Sequence, residues 1–293
     1  MKKPSFIIAL LFSINFYAQR DSLLTDSLKQ MVEINDRLIQ LNPYNVSAYI
    51  HRGRAKVRLH DFNGSIQDNL KAISLNPKSD TAYVNIGAAY YGLKNYEEAI
   101  KNYDKAIQLN PNFYKAYRLR GDTKLKQLAY KSAFQDYDMA ISLNANDAGN
   151  YYSRGNSYWY LKKYKKALID YDQAILLGYH WAVNYYVRAL CKFKLKDYQA
   201  AIQDFTQAIN INPQYALAYH YRGLCNYNLK SYGAAIEDYN HALRLNSNYT
   251  LVYFDRANAK FQLNDKTGAC QDWVQASKLG NTLANTAIKK KCK

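Results

Sequence analysis

Apolar residues along this chain recur at intervals of three and four, not two. In the run Tyr96, Ala99, Ile100, Tyr103, Ala106, Ile107 they form one stripe along a 3.6-residue helix and leave the opposite face polar. The same spacing returns along the chain, interrupted by short polar turns. Twelve glycines and five prolines are too few to punctuate a strand-rich fold. The pattern therefore predicts an all-α chain of helices joined by tight turns.

Sliding the sequence against itself gives an offset of 34 residues, visible in the small-residue column Gly53, Gly87, Gly121, Gly155, Ala189, Gly223, Ala257. Alanine fills a second column from Ala72 to Ala276, and tyrosine a third: Tyr49, Tyr83, Tyr117, Tyr151, Tyr185, Tyr219, Tyr253. Small side chains are expected where two helices cross closely, so each unit reads as a helical hairpin. The units are 46–79, 80–113, 114–147, 148–181, 182–215, 216–249 and 250–283. Each second helix is expected to end at Asn76, Asn110, Asn144, Gly178, Asn212, Asn246 or Gly280, residue types that tolerate a left-handed cap. Pro77, Pro111 and Pro213 follow three of them, where no helix continues. A hairpin buries its apolar surface only against neighbours, so both ends need closing. Residues 21–43 read as a capping helix, the second half of a degenerate repeat, and 284–293 as the closing segment, with Thr282 to Lys291 helical.

These columns resemble the tetratricopeptide repeat over about residues 46–283: an aromatic, a Gly or Ala four residues on, then aromatic, Ala, aromatic, Ala and often Pro. The copies depart from it where Ala145, Tyr179, Ser247 and Asn281 replace proline and Lys266 replaces the turn aromatic. The resemblance implies a right-handed superhelical solenoid of seven helix-turn-helix repeats with terminal capping helices, the first helix of each pair lining the concave face. It also implies a bridge between Cys270 and Cys292, because the final copy, with Ala-Cys-x-Asp-Trp and a terminal cysteine, is laid out like the last repeat of similar proteins.

Charge follows the same period. Arg52, Arg120, Arg154, Arg188, Arg222 and Arg256 precede the small column, and Asp68, Asp136, Asp170, Asp204, Asp238 and Asp272 lie sixteen residues later. The second copy has Ile86 and Asn102 instead, losing both partners at once. Joint loss within one hairpin predicts that the two side chains meet there as a fork-like pair. A catalytic carboxylate is needed once and a packing device in every unit, so repetition assigns these aspartates to the scaffold.

Little else suggests chemistry. His51, His60, His180, His220 and His241 include no pair at metal-ligand helical spacing. Phosphate-loop, nucleophile-elbow and Cys-x-x-Cys motifs are missing from the sequence. No enzyme activity, metal or cofactor is expected. Cys191 and Cys225 occupy one column in adjacent copies, roughly 8–10 Å apart and beyond disulfide reach, and read as core residues.

If the resemblance holds, first-helix side chains at three-, four- and seven-residue steps form the binding groove. They divide into a basic zone, Arg54, Arg58, Lys115, Arg118 and Lys126, and an aromatic zone, Tyr152, Asn156, Trp159, Tyr160, Tyr186, His220 and Phe254. Phe193, Tyr227 and Phe261 repeat that placement or pack between copies. Such a surface suits an extended protein segment or peptide with an acidic stretch and apolar side chains. Net charge of +17 supports an alternative, an electrostatic binder of an acidic polymer or an anionic membrane surface. Nucleic acid is not expected.

The first eighteen residues stand apart. Lys2 and Lys3 precede the apolar run Phe6–Phe12, and Ala18 offers a cleavage point. Thirteen residues from Phe6 to Ala18 are too few to cross a bilayer, so 1–18 reads as a secretory signal, with the mature chain periplasmic or secreted and without a transmembrane segment.

Overall fold

The computed structural model describes residues 21–292, and the expected signal segment 1–18 lies outside the described residues. All regular structure among the described residues is helical. Where periodicity marks no break, contacts divide the chain into two compact units, Met1–Asn144 and Ala145–Lys293. Unit 1 contains α1 (Asp21–Leu41) and three hairpins: α2 (Val46–Arg58) with α3 (Phe62–Leu75), α4 (Asp80–Gly92) with α5 (Tyr96–Leu109), and α6 (Tyr114–Lys126) with α7 (Tyr130–Leu143). Unit 2 contains four: α8 (Ala148–Tyr160) with α9 (Tyr164–Leu176), α10 (Ala182–Lys194) with α11 (Tyr198–Ile211), α12 (Ala216–Asn228) with α13 (Tyr232–Leu245), and α14 (Thr250–Gln262) with α15 (Lys266–Lys278). Helix α16 (Thr282–Lys291) follows and packs on α15.

The hairpin turn has one repeated geometry. The first helix ends in a Schellman motif: in the α2–α3 turn, Asp61 N–H donates to Lys56 C=O at 2.9 Å and His60 N–H to Val57 C=O at 3.1 Å. The residue that turns the chain is left-handed in every hairpin: His60, Lys94, Leu128, Lys162, Lys196, Lys230 and Asn264, with φ between 58° and 65°. The next residue caps the second helix, and Asp61, Asn95, Asp197 and Asp265 accept first-turn N–H groups. Ala129, Lys163 and Ser231 occupy the same position and make no side-chain cap.

The expectation for the second-helix ends is corrected here. Gly178 and Gly280 are left-handed, with φ of 92° and 93°. The asparagines are extended instead, for example φ −139° at Asn76 and −134° at Asn212. Their side chains make the turn: Oδ1 of Asn76, Asn110, Asn212 and Asn246 each accepts the N–H two residues on at 3.1 Å. Asparagine is selected there for its carbonyl, not for tolerance of positive φ.

Inside each hairpin but the first, where Asn69 takes the position, a large ring faces the small column. Tyr103, Tyr137, Tyr171, Phe205, Tyr239 and Trp273 are at most 1% exposed, each burial contributing about 2–3 kcal/mol. A Cβ on Gly87 would stand 2.6 Å from the Tyr103 ring, so the helices cross closely because that side chain is missing. In unit 1, α4 touches both α2 and α6; in unit 2, α12 touches both α10 and α14. Second helices of neighbouring hairpins make no comparable approach among the described residues. The first-helix layer is thus the inner side of each unit.

Candidate functional site

The arginine column forms the frame of the inner layer. Arg188 Nε donates to Asp204 Oδ2 at 2.8 Å and Nη2 to Oδ1 at 2.6 Å, a two-pronged contact within its hairpin. The free prong, Nη1, reaches Asp172 of the preceding hairpin at 2.9 Å. Arg120 repeats this with Asp136 and Asp104, Arg222 with Asp238 and Thr206, and Arg256 with Asp272 and Asn240. Arg52 holds Asp68 through two contacts and Asp36 through the third, and Arg154 makes the same fork to Asp170.

Each of these arginines also lies over its column tyrosine, 5.4 to 5.8 Å from the ring centre. Burial works against the charge on Arg188, yet Asp204 and Asp172 hold its pKa above the ordinary range. At Asp238 burial wins over Arg222 and lifts the carboxyl above the usual carboxylate value.

Two partners of this clasp went unread in the sequence. Lys56, Lys124, Lys192 and Lys260 each donate to the buried aspartate at 2.8 or 2.9 Å. The residue sixteen before each arginine supplies the third contact. The lysine recurs in four copies only, with Tyr158 and Asn226 at its position in two copies that keep the pair; the second copy, which lacks the pair, has Tyr90 there and Leu70 opposite Ile86.

On the inner side of unit 1, Arg54, Arg58, Lys115 and Lys126 are exposed. Arg118 is half-buried, and its Nε is enclosed without a hydrogen-bond partner. These five cations flank helix α4, whose one charged residue is Asp80.

In unit 2 the expected aromatic face separates into two depths. Tyr152, Asn156, Trp159, Tyr160 and Phe254 are half-buried. Tyr171 Oη donates to Asn156 Oδ1 at 2.8 Å. Burial raises the Tyr160 hydroxyl pKa. Tyr186 and His220 are corrected: at 2% and 4% exposure they are core residues that no partner reaches. The following hairpin covers them, Tyr186 by Tyr215 and Tyr221 with ring centres at 4.9 and 5.9 Å. His220 contacts Tyr249 Oη at 2.9 Å and Asp255 Oδ2 at 2.7 Å. Trp159, Phe193 and Tyr227 lean on the turn tyrosines Tyr164, Tyr198 and Tyr232 at 4.9, 5.7 and 5.3 Å. Phe261 leans on Trp273 at 5.6 Å.

At the end of unit 2, Cys270 and Cys292 are joined, with Cα atoms 5.7 Å apart. The Lys291 ammonium lies 4.3 Å from the Phe261 ring centre. Cys191 and Cys225 are buried free thiols. Among the described residues no group of three His, Cys, Asp or Glu side chains could hold a metal, and no helix is long and apolar enough to cross a membrane.

Stacked helical hairpins with a partly exposed aromatic inner face define a helical-repeat scaffold. Tetratricopeptide-repeat models match residues 81–113 and 182–215, and, in a second version, 148–177 and 216–249. The chain belongs to the tetratricopeptide-repeat family, whose members bind proteins or peptides and whose fold is generally non-catalytic. No curated protein matches it. Its fold is similar to that in the APC/C hetero-tetramer Cut9–Hcn1, with TM-score 0.65 and 18% identity over 91% of this chain and 53% of that one, so it spans about half of that relative. It is also similar to the C-terminal part of a tetratricopeptide-repeat protein from Cytophaga hutchinsonii, with TM-score 0.66 and 16% identity over 82% and 99% of the two chains. YrrB, a tetratricopeptide-repeat protein with an unusual peptide-binding site, aligns with TM-score 0.59 and 20% identity over 64% of this chain and 97% of its own.

Proposed function

We propose that the chain is an exported, non-catalytic scaffold that holds an extended segment of another protein along its first-helix faces. Unit 1 engages an acidic stretch through Arg54, Arg58, Lys115, Arg118 and Lys126. Unit 2 engages apolar side chains through Tyr152, Trp159, Tyr160 and Phe254, with the Asn156 amide donating to the segment's backbone. One observation carries this reading: the half-buried aromatics Trp159, Phe193 and Tyr227 recur once per hairpin on the inner side, each propped by a turn tyrosine. Rings already fixed lose little entropy on binding, so contact area converts efficiently into affinity. Export rests on the sequence of residues 1–18.

The test begins with capture of the partner by the chain from its own cell envelope, followed by titration of the purified partner. Trp159→Ala is expected to weaken binding by about 2 kcal/mol or more, roughly 30-fold. Affinity in the aromatic groove should largely persist as salt rises from about 0.1 to 0.5 M, where exposed charges are screened. Unchanged affinity in both Trp159→Ala and Tyr160→Ala would remove the groove from the account.

A further inference from the structure

Seven copies of one hairpin give the molecule its own controls, and the fourth departs from the others at a place remote from any packing need. Its turn reads Lys162, Lys163, Tyr164, Lys165, Lys166. At the position of Lys163 the other copies carry Asp61, Asn95, Ala129, Asp197, Ser231 and Asp265, four of which cap the following helix. At Lys165 and Lys166 the second copy has Glu97 and Glu98. The fourth copy thus has a cation where four others have a helix cap and a second at Lys166, beside Lys162 and Lys165, whose columns hold lysine in other copies too (Lys94, Lys196, Lys230 and Lys131); all four are exposed.

These four lysines, with Tyr164 and with Leu195 of the next hairpin turn, surround an open surface depression of about 280 Å³. Among the described residues no ion pair joins any of the four ammonium groups to a carboxylate, and no acidic side chain lines the depression. Lys166 keeps only a ring contact, 5.6 Å above Tyr158. The nearest acidic residue along the next turn, Asp197, is engaged in capping Ala200 N–H at 3.2 Å. Four like charges along one turn repel one another and raise a positive potential over it. A multiply charged oxyanion would relieve that repulsion. Lysines bind such a group as mobile point charges, and phosphate is the anion they suit best.

We propose that this depression is a binding site for a phosphate-bearing group, adjoining the inner-face groove through Tyr164, whose ring centre lies 4.9 Å from that of Trp159. The group belongs either to a soluble phosphorylated molecule or to a lipid headgroup, and both share the chemistry the lysines recognise.

The experiment titrates the full chain by calorimetry with inorganic pyrophosphate, and by sedimentation with phosphatidylcholine vesicles carrying phosphatidic acid. The test variant is Lys163→Asp with Lys166→Glu, which restores what other copies hold at those positions. The control, Lys289→Asp with Lys290→Glu, removes the same charge from α16. The test variant should lose at least ~10-fold in affinity while the control changes little, and thermal melting should show the test variant no less stable than the parent. Binding of pyrophosphate that follows this pattern assigns a soluble source, and binding of vesicles alone in the same pattern assigns a headgroup. Equal losses in test and control would reduce the effect to net charge and overturn the site, as would the absence of binding to both probes.

Discussion

Breaking the Arg188–Asp204 clasp should reveal a cooperative unit of four side chains. Asp204 is almost fully enclosed, its side chain 6% exposed, and it receives Arg188 through two hydrogen bonds and Lys192 through a third at 2.8 Å. Asp204→Ala leaves Lys192 with no counter-charge and Arg188 with only the exposed Asp172, both cations with about one-fifth of their side-chain surface exposed, and should destabilise by about 3–5 kcal/mol. Arg188→Ala should lose less, about 2–3 kcal/mol, because Lys192 still neutralises the aspartate. Asp172→Ala should lose under about 1 kcal/mol, since that carboxylate is 54% exposed and its pair is screened.

The second copy then supplies a replacement that the fold already accepts: Ile86, Tyr90 and Asn102 stand where the fifth copy has Arg188, Lys192 and Asp204. The triple variant Arg188→Ile, Lys192→Tyr, Asp204→Asn should recover to within about 1 kcal/mol of the parent, because no buried charge is left unpaired. Urea unfolding followed by circular dichroism measures all of these, with midpoints compared because a repeat stack need not unfold in one step. Losses in Arg188→Ala and Asp204→Ala that simply add in the double variant, with coupling below about 0.5 kcal/mol, would refute the clasp. A triple variant as unstable as Asp204→Ala would refute the reasoning about buried charge.

Four further outcomes follow from the same geometry. Reducing the Cys270–Cys292 bond, which closes a 22-residue separation, should destabilise by about 3 kcal/mol, seen as a lower melting temperature in reductant; an unchanged melt would show that α16 holds without it. Burial pushes the Cys191 and Cys225 thiols up to about 12, so alkylation of the folded chain at pH 8 should run at least ~1000-fold slower than for a free cysteine and accelerate with rising pH; rapid labelling would show an open stack. Leu128 is left-handed at φ 63° and 67% exposed, so Leu128→Gly should raise stability by about 0.5 kcal/mol or more. Ala129→Asp should add the missing cap and about 1 kcal/mol; a lower urea midpoint for either variant would contradict the turn geometry.

Much of this was legible in the sequence because a repeat writes the same constraint several times. The hairpin, the ring-against-glycine crossing and the Arg–Asp fork all follow from columns, and the joint loss at Ile86 and Asn102 identified partners sixteen residues apart. Legibility ended where different residues satisfy one backbone demand. The left-handed turn position is filled by His60, Lys94, Leu128 and others, so no residue type announces it, and the asparagines that suggested it elsewhere act through their side chains. Helical spacing also gives direction without depth. Tyr186 and His220 share a helix position with Tyr152 and Phe254, and only the rings arriving from the next hairpin bury the first two.

The same redundancy separates scaffold from function more sharply than burial does. A departure that changes all partners together, such as Ile86 with Tyr90, Asn102 and Leu70, keeps the packing consistent and needs no functional cause. Lys163 is the opposite kind of departure. It gives up a helix cap worth about 1 kcal/mol and adds positive charge at the positive end of the α9 dipole, unfavourable by about 0.3–1 kcal/mol per charge in the first turn. No compensating carboxylate appears in the depression it helps to line. Local rules broken without a packing gain are expected where a molecule meets something outside itself. The phosphate site and the aromatic groove therefore stand on different evidence: the groove on aromatics that the hairpins of unit 2 share, the lysine turn on Lys163 and Lys166, which the other hairpins lack.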